Sequence, residues 1–268
     1  MTFSARRTLT ALLGTAVVAT TLAAAALPAA AGTKPKPTIV LVHGAFADAS
    51  SWSGVAKRLQ SHGYHVIAPA VPLRGLAGDA AYTAALLKTV KGPIILAGHS
   101  YGGAVISNAA RGNANVKALV AIAGFLPDTG ESAATLSDKY PGSTLGPTLQ
   151  EVALPGGLTD LYVQQDKFRK QFAHDVPARD AAVMAATQRP ITSAALNEPS
   201  GAPAWKSIAS YVLIPTGDKN IPPAAQHFMA ERAHARATVE VKDASHAVLV
   251  SQPDTVAKFI ERAATDHG

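Results

Sequence analysis

The sequence predicts an α/β fold: a mostly parallel sheet of about six strands, helices on both faces, and one helical cap inserted late in the sheet. Three observations carry this. Continuous apolar runs at 38–42, 93–97 and 116–123 read as strands buried on both faces. Helical spacing fills the stretches between them. The alternation then breaks at about Phe125, and it resumes only near Ser210.

The first residues stand outside this pattern. Arg6 and Arg7 form a positive segment, 9–27 is apolar and rich in Ala and Thr, and Ala29-Ala30-Ala31 fits a small-residue cleavage site. Residues 1–31 therefore read as a signal peptide, with a mature start at Gly32 and an exported product that keeps no stable membrane anchor. The paired arginines hint at twin-arginine export, although Thr10 stands where an apolar residue is usual. The remaining span, 32–268, has the length of one domain with a full core.

The formal charge is +6, with 24 Lys and Arg against 18 Asp and Glu. The basic residues are scattered, and the densest group, Lys167, Arg169 and Lys170, reads as a solvated helix face. That pattern argues against a nucleic-acid partner. The absence of cysteine excludes disulfides, a thiol nucleophile and thiolate metal ligation.

Along the folded span, 38–42 is the first strand and ends in His43-Gly44-Ala45-Phe46. Ser50 or Ser51 can cap a helix that carries Trp52, Val55, Ala56 and Leu59 on one side, and Gly63 stops it. A strand at 64–69 and a helix at 78–90 follow, then the strand from Pro93 and a helix to about Arg111. After the strand at 116–123 comes the cap, at approximately 126–204. It has helical patterns at 132–140, 161–174 and 178–187, and no strong strand. Long insertions at that edge are usually functional. The last elements are a strand at 210–214, a helix at 222–233, a strand at 238–241 and a closing helix at 253–264.

The most informative stretch is Gly98-His99-Ser100-Tyr101-Gly102-Gly103, between an apolar run and a small-residue helix. A strand, a sharp turn and a helix around Gly-x-Ser-x-Gly hold a serine in a strained turn with its hydroxyl exposed. The Tyr101 N–H then points where an oxyanion forms, and the Ala45 N–H, with Phe46 close behind, is the second candidate donor. A serine needs a base and an acid to orient that base. His246, after the last strand, suits the chain order Ser…Asp…His. His43 and His99 are its rivals by position; His43 reads as bonded into its own loop, and His99 as pointing away from Ser100. Asp218, just past the penultimate strand, is the favoured acid and Asp128 the reserve. Asp243 is too close to His246 in sequence to reach its ring easily. Phe46, Phe125, Phe168, Phe172 and Met184 are candidates for a substrate pocket, although the cap aromatics and Met184 also suit a purely packing role.

These motifs, with Trp52, Gly217-Asp218, Ile221-Pro222 and Ser245-His246, resemble the α/β-hydrolase superfamily, and the match runs from Thr38 to the end. Within it the chain resembles small-capped bacterial hydrolases akin to the plant methyl-ester esterase and hydroxynitrile lyase branch. Leu126-Pro127-Asp128-Thr129 is similar to that branch's entry into the cap, which makes Asp128 a cap residue. The lyases carry a lysine after the catalytic histidine and a threonine in the His-Gly loop; here those places hold Ala247 and Gly44. Ser100 likewise departs from the aspartate nucleophile of the dehalogenases and epoxide hydrolases.

The resemblance implies a serine hydrolase that cleaves carboxylic esters of small to medium apolar compounds, with no metal or organic cofactor. The same triad also suits amide, lactone or thioester bonds and perhydrolysis. A third reading is a ligand-binding protein with a vestigial triad.

Overall fold

In the computed structural model, residues 1–3 and 35–267 are described, and the expected signal segment 1–31 lies largely outside them. The chain divides into two compact units, Met1–Lys34 and Pro35–Gly268, and the fold is that of the second. No helix among the described residues is long and apolar enough to cross a membrane.

The elements before the insertion are β1 (Thr38–Val42), α1 (Ser53–Ser61), β2 (Val66–Ile67), α2 (Leu76–Thr89), β3 (Ile94–His99), α3 (Tyr101–Ala109) and β4 (Val116–Ile122). The insertion holds α4 (Ala133–Ser137), β5 (Leu149–Ala153), β6 (Thr159–Val163), α5 (Gln165–Phe172), α6 (Ala178–Thr187), β7 (Ile191–Thr192) and α7 (Ser193–Asn197). The body closes with β8 (Ala209–Pro215), α8 (Pro223–Arg232), β9 (Ala237–Val241), α9 (Val248–Ser251) and α10 (Pro253–Thr265).

The main sheet has six strands in the order β2-β1-β3-β4-β8-β9. Every pairing in it is parallel. The side-chain period of two sends Ile39, Leu41, Ile95 and Ala97 to one face, where α1 and α10 cover them. Val40, Val42 and Leu96 go to the other face, with α2 and α3. The apolar side chains of the insertion, including Leu161, Phe168 and Phe172, join this second cluster.

Two local features differ from the sequence reading. Neither Ser50 nor Ser51 caps α1: a 3-10 turn, Ala49–Trp52, leads into it, and Asp48 caps that turn by accepting from the Ser50 N–H at 2.8 Å. The insertion contains a three-stranded antiparallel sheet, β5-β6-β7, beside its helices. The expected helix at 161–174 is therefore shorter: Leu161 and Val163 lie in β6, and α5 begins at Gln165. The turn Pro155-Gly156-Gly157 explains this. Both glycines have φ near +80°, and the Leu154 N–H bonds the Leu158 carbonyl at 2.8 Å, so the chain closes a hairpin.

The insertion is bonded to the body along its length. Arg74 donates to Asp160 at 2.5 Å and to the Pro190 carbonyl at 2.9 Å, and the Thr192 N–H bonds the Leu73 carbonyl at 3.1 Å. Gln171 donates to Asn220 Oδ1 at 2.8 Å. Arg232 makes two bonds to the Glu131 carboxylate, at 2.8 and 2.7 Å.

Beneath the β3–α3 turn, α2 and α3 share one buried polar contact. The Tyr101 hydroxyl donates to Asp79 Oδ2 at 2.9 Å, and both side chains are almost fully buried. Burial raises the Asp79 carboxyl above the usual carboxylate range, against the opposing pull of the Tyr101 hydrogen bond. Burial, with the nearby carboxylate, pushes the Tyr101 phenol well up. A carboxyl raised in the folded state adds stability that is fully present below the ordinary Asp range and is lost as pH rises through the raised value. Tyr101→Phe leaves Asp79 Oδ2 buried without its hydroxyl donor. It is expected to lower stability at neutral pH by about 1–3 kcal/mol in denaturant unfolding, with a smaller loss in acid, where Asp79 is protonated.

Candidate active site

Ser100 occupies the turn between β3 and α3 with φ +54° and ψ −124°, a conformation that L-residues rarely adopt. The surroundings over-determine it. A Cβ on Gly98 would lie 2.4 Å from the Gly102 carbonyl oxygen, and one on Gly102 would lie 2.5 Å from that of Val42. Backbone can therefore pass this close only where both positions are glycine. The Ser100 carbonyl accepts from the Gly103 and Phe125 N–H groups at 2.9 and 3.1 Å, which pins the turn to α3 and to the end of β4.

Across the sheet edge, His246 Nδ1 donates to Asp218 Oδ2 at 2.8 Å. Both side chains are buried, at 1% and 0% exposure, so the pair has little competing water. Asp218 is held on every side. Oδ1 accepts from the Asn220 and Ile221 N–H groups at 2.8 and 3.1 Å, and Oδ2 also accepts from Gln226 Nε2 at 2.9 Å. A carboxylate with this many donors remains an acceptor and fixes the proton of His246 on Nδ1. Nε2 is then the free, basic nitrogen. His246 and Ser100 line the same cavity of about 290 Å³, without a direct hydrogen bond between them in this structure.

The rival histidines have other work. His43 Nε2 accepts from the Val71 N–H at 2.9 Å, so Nδ1 carries the proton and donates to the Gly44 carbonyl at 3.0 Å. Burial lowers its pKa, and the ring ties the loop after β1 to the segment before α2. His99 Nε2 donates to the His246 carbonyl at 2.9 Å, and its ring lies 4.8 Å from that of His246. Burial, reinforced by the neighbouring imidazole, holds His99 well below the usual histidine range, hence neutral. Asp128 pairs with Lys206 at the surface, away from His246. Asp243 lies in the turn after β9 with φ +55°, and its N–H bonds Thr216 Oγ1.

Ala45 and Tyr101 both line the cavity, and among the described residues neither backbone N–H is bonded to another carbonyl. Phe46 and Phe125 line it too. Phe168, Phe172 and Met184 do not. Phe168 and Phe172 are stacked 5.0 Å apart in the core, and Phe172 packs edge-on against the rings of His246 and Phe46. Met184 lines a different cavity.

Three contributors were not apparent from the sequence: Gln226 on Asp218, His99 on the His246 carbonyl, and Phe172 against the imidazole. His99 and Phe172 act across long sequence separations, and Gln226 reaches back from α8 to the loop after β8. Only His99, fixed inside the turn motif, offered a local signal. The wall facing Ser100 comes from the insertion and includes Leu145, Leu149, Leu161 and Leu196, with Asp138 and Glu151 exposed at its rim.

Comparison with known proteins identifies relatives of this fold. An Arabidopsis thaliana alpha-hydroxynitrile lyase is 26% identical over 254 residues, which cover 87% of this chain and 98% of that protein. Among solved structures, polyneuridine aldehyde esterase superposes with a TM-score of 0.73 at 18% identity, covering 85% of this chain and 98% of its own. Tomato methylketone synthase I gives 0.74 at 19% identity, covering 87% and 99%. These relatives include the plant esterases and lyases whose motifs the sequence resembles. The sequence model of the alpha/beta hydrolase family matches residues 39–259. Since that match spans nearly all of the folded unit, the chain belongs to the alpha/beta hydrolase family.

Proposed function

We propose that the protein is an exported serine hydrolase that cleaves carboxylic esters of small to medium apolar compounds. Membership of the family makes it a hydrolase, and esterases are among its structural relatives. The observation that carries the finer reading is the buried Asp218–His246 pair, which leaves Nε2 as the basic atom in the cavity that also holds Ser100 on its strained turn.

In this reading Nε2 takes the Ser100 hydroxyl proton as Oγ attacks the ester carbonyl. Asp218 stabilises the imidazolium that forms. The carbonyl oxygen becomes an oxyanion held by the Ala45 and Tyr101 N–H groups, each worth roughly 3–4 kcal/mol in the barrier. Collapse of this intermediate expels the alcohol, which receives the proton from His246. Water then enters, gives a proton to Nε2 and attacks the acyl-enzyme carbonyl. Expulsion of Ser100 Oγ releases the acid and returns the proton to serine. The leucine-lined wall suits an apolar acyl or alcohol group.

Kinship to a hydroxynitrile lyase raises the reverse possibility, carbon–carbon cleavage with a cationic side chain holding the leaving cyanide. Two features disfavour it. Position 247 is a buried alanine, which offers no cation. A side chain at Gly44 would begin 2.6 Å from Ser100 Cβ and 2.7 Å from the His99 carbonyl, so the threonine of the lyases does not fit this loop.

Three outcomes are expected. A fluorophosphonate probe labels Ser100, as read by peptide mapping, and Ser100→Ala loses both the label and ester turnover, by more than about 10⁴-fold, while its circular dichroism is unchanged. Asp218→Asn lowers kcat by about 10⁴-fold, because an amide no longer fixes the proton on Nδ1. Material exported from a bacterial host begins at Gly32 on N-terminal sequencing; a start at Met1 would refute export with cleavage.

A further inference from the structure

A second cavity, of about 300 Å³, shares Phe46 with the cavity of the site. Phe46 is the one residue that lines both cavities. The second cavity takes its apolar surface from Ala47, Met184 and Val250, and Asp48 and Ser50 lie at its polar side. None of these residues belongs to the machinery described above. Its volume is close to that of the first, and Phe46 is where the two linings meet.

Phe46 is held where it is. Its backbone has φ +58°, a conformation uncommon for a bulky side chain. The ring is 3% exposed and meets Phe172 edge-on, with centroids 6.3 Å apart at 87°. Phe172 in turn abuts His246. The ring is thus wedged between the proposed oxyanion loop and the insertion, in a conformation that a smaller side chain adopts with no greater backbone strain.

We propose that Phe46 sets the upper size of the substrate by closing the site cavity off from the second one, which continues it as a subsite for a longer apolar chain. This rests on the serine-ester reading above. The first cavity then accepts short chains, and a long chain is excluded by the ring rather than by the mouth of the site.

The test is a chain-length profile of kcat/KM on p-nitrophenyl esters from butyrate to decanoate. Rates of Ser100 labelling by short- and long-chain alkyl fluorophosphonates are measured in parallel. Phe46→Ala is expected to raise the long-to-short ratio at least about 10-fold in both readouts, in line with the discrimination a methylene or two provides in an apolar pocket. Phe46→Leu should raise it less, and it serves as the deciding variant if Phe46→Ala does not fold. Adding Met184→Trp to Phe46→Ala fills the second cavity and should return the ratio towards the wild-type value. An unchanged ratio in a folded variant, or a rise that Met184→Trp does not reverse, overturns the proposal. A wild-type protein that is labelled at Ser100 but hydrolyses no ester refutes the ester reading alone, and the labelling ratio then decides the inference. A wild-type Ser100 that is neither labelled nor active overturns both.

Discussion

Backbone meets backbone at the crossing of β3, α3 and the loop after β1 with no room for a single extra carbon. The contacts at Gly98, Gly102 and Gly44 place carbonyl oxygens 2.4–2.7 Å from where a Cβ would stand. This steric constraint positions everything that follows. It forces Ser100 into a positive φ and seats the N-terminus of α3 under the serine. It also brings Ala45 and Phe46 against the site. Such a turn costs on the order of 1–3 kcal/mol locally. It persists because parallel strands on either side, each buried on both faces, leave the chain no alternative path.

The second constraint is electrostatic. Burying a carboxylate and an imidazole together is unfavourable unless every acceptor finds a donor. Asp218 meets that condition with two backbone N–H groups, Gln226 and His246. His246 is restrained in turn through its carbonyl by His99 and through its ring face by Phe172. The neutrality of His99 matters here, since a second charge 4.8 Å away would oppose an imidazolium on His246.

Much of this was legible in the sequence, for identifiable reasons. The inner strands of the main sheet are buried on both faces, so they appear as uninterrupted apolar runs, and β1 and β8 lie where those runs lie. Ser100, Asp218 and His246 follow β3, β8 and the edge strand β9 at the same end of the sheet, which is why chain order alone could nominate them. The hairpin of the insertion was hidden because β5 faces solvent and has no apolar alternation; only Pro155-Gly156-Gly157 marked it. Phe172 was illegible because nothing near it in sequence shows what it touches, and Gln226 because the turn of α8 back towards Asp218 is not written in the residues between them. That Phe46 lines two cavities is a property of three dimensions.

The bonds between the insertion and the body have a kinetic meaning. Arg74 and Arg232 of the body, and Gln171 and Thr192 of the insertion, fasten it at separate points. Lifting it would require breaking these together and exposing the Leu161 and Phe172 side of the core. Traffic to Ser100 therefore passes through a fixed aperture, with Asp138 and Glu151 standing at its edge. Two carboxylates at that opening make it unfavourable to anions and indifferent to neutral molecules.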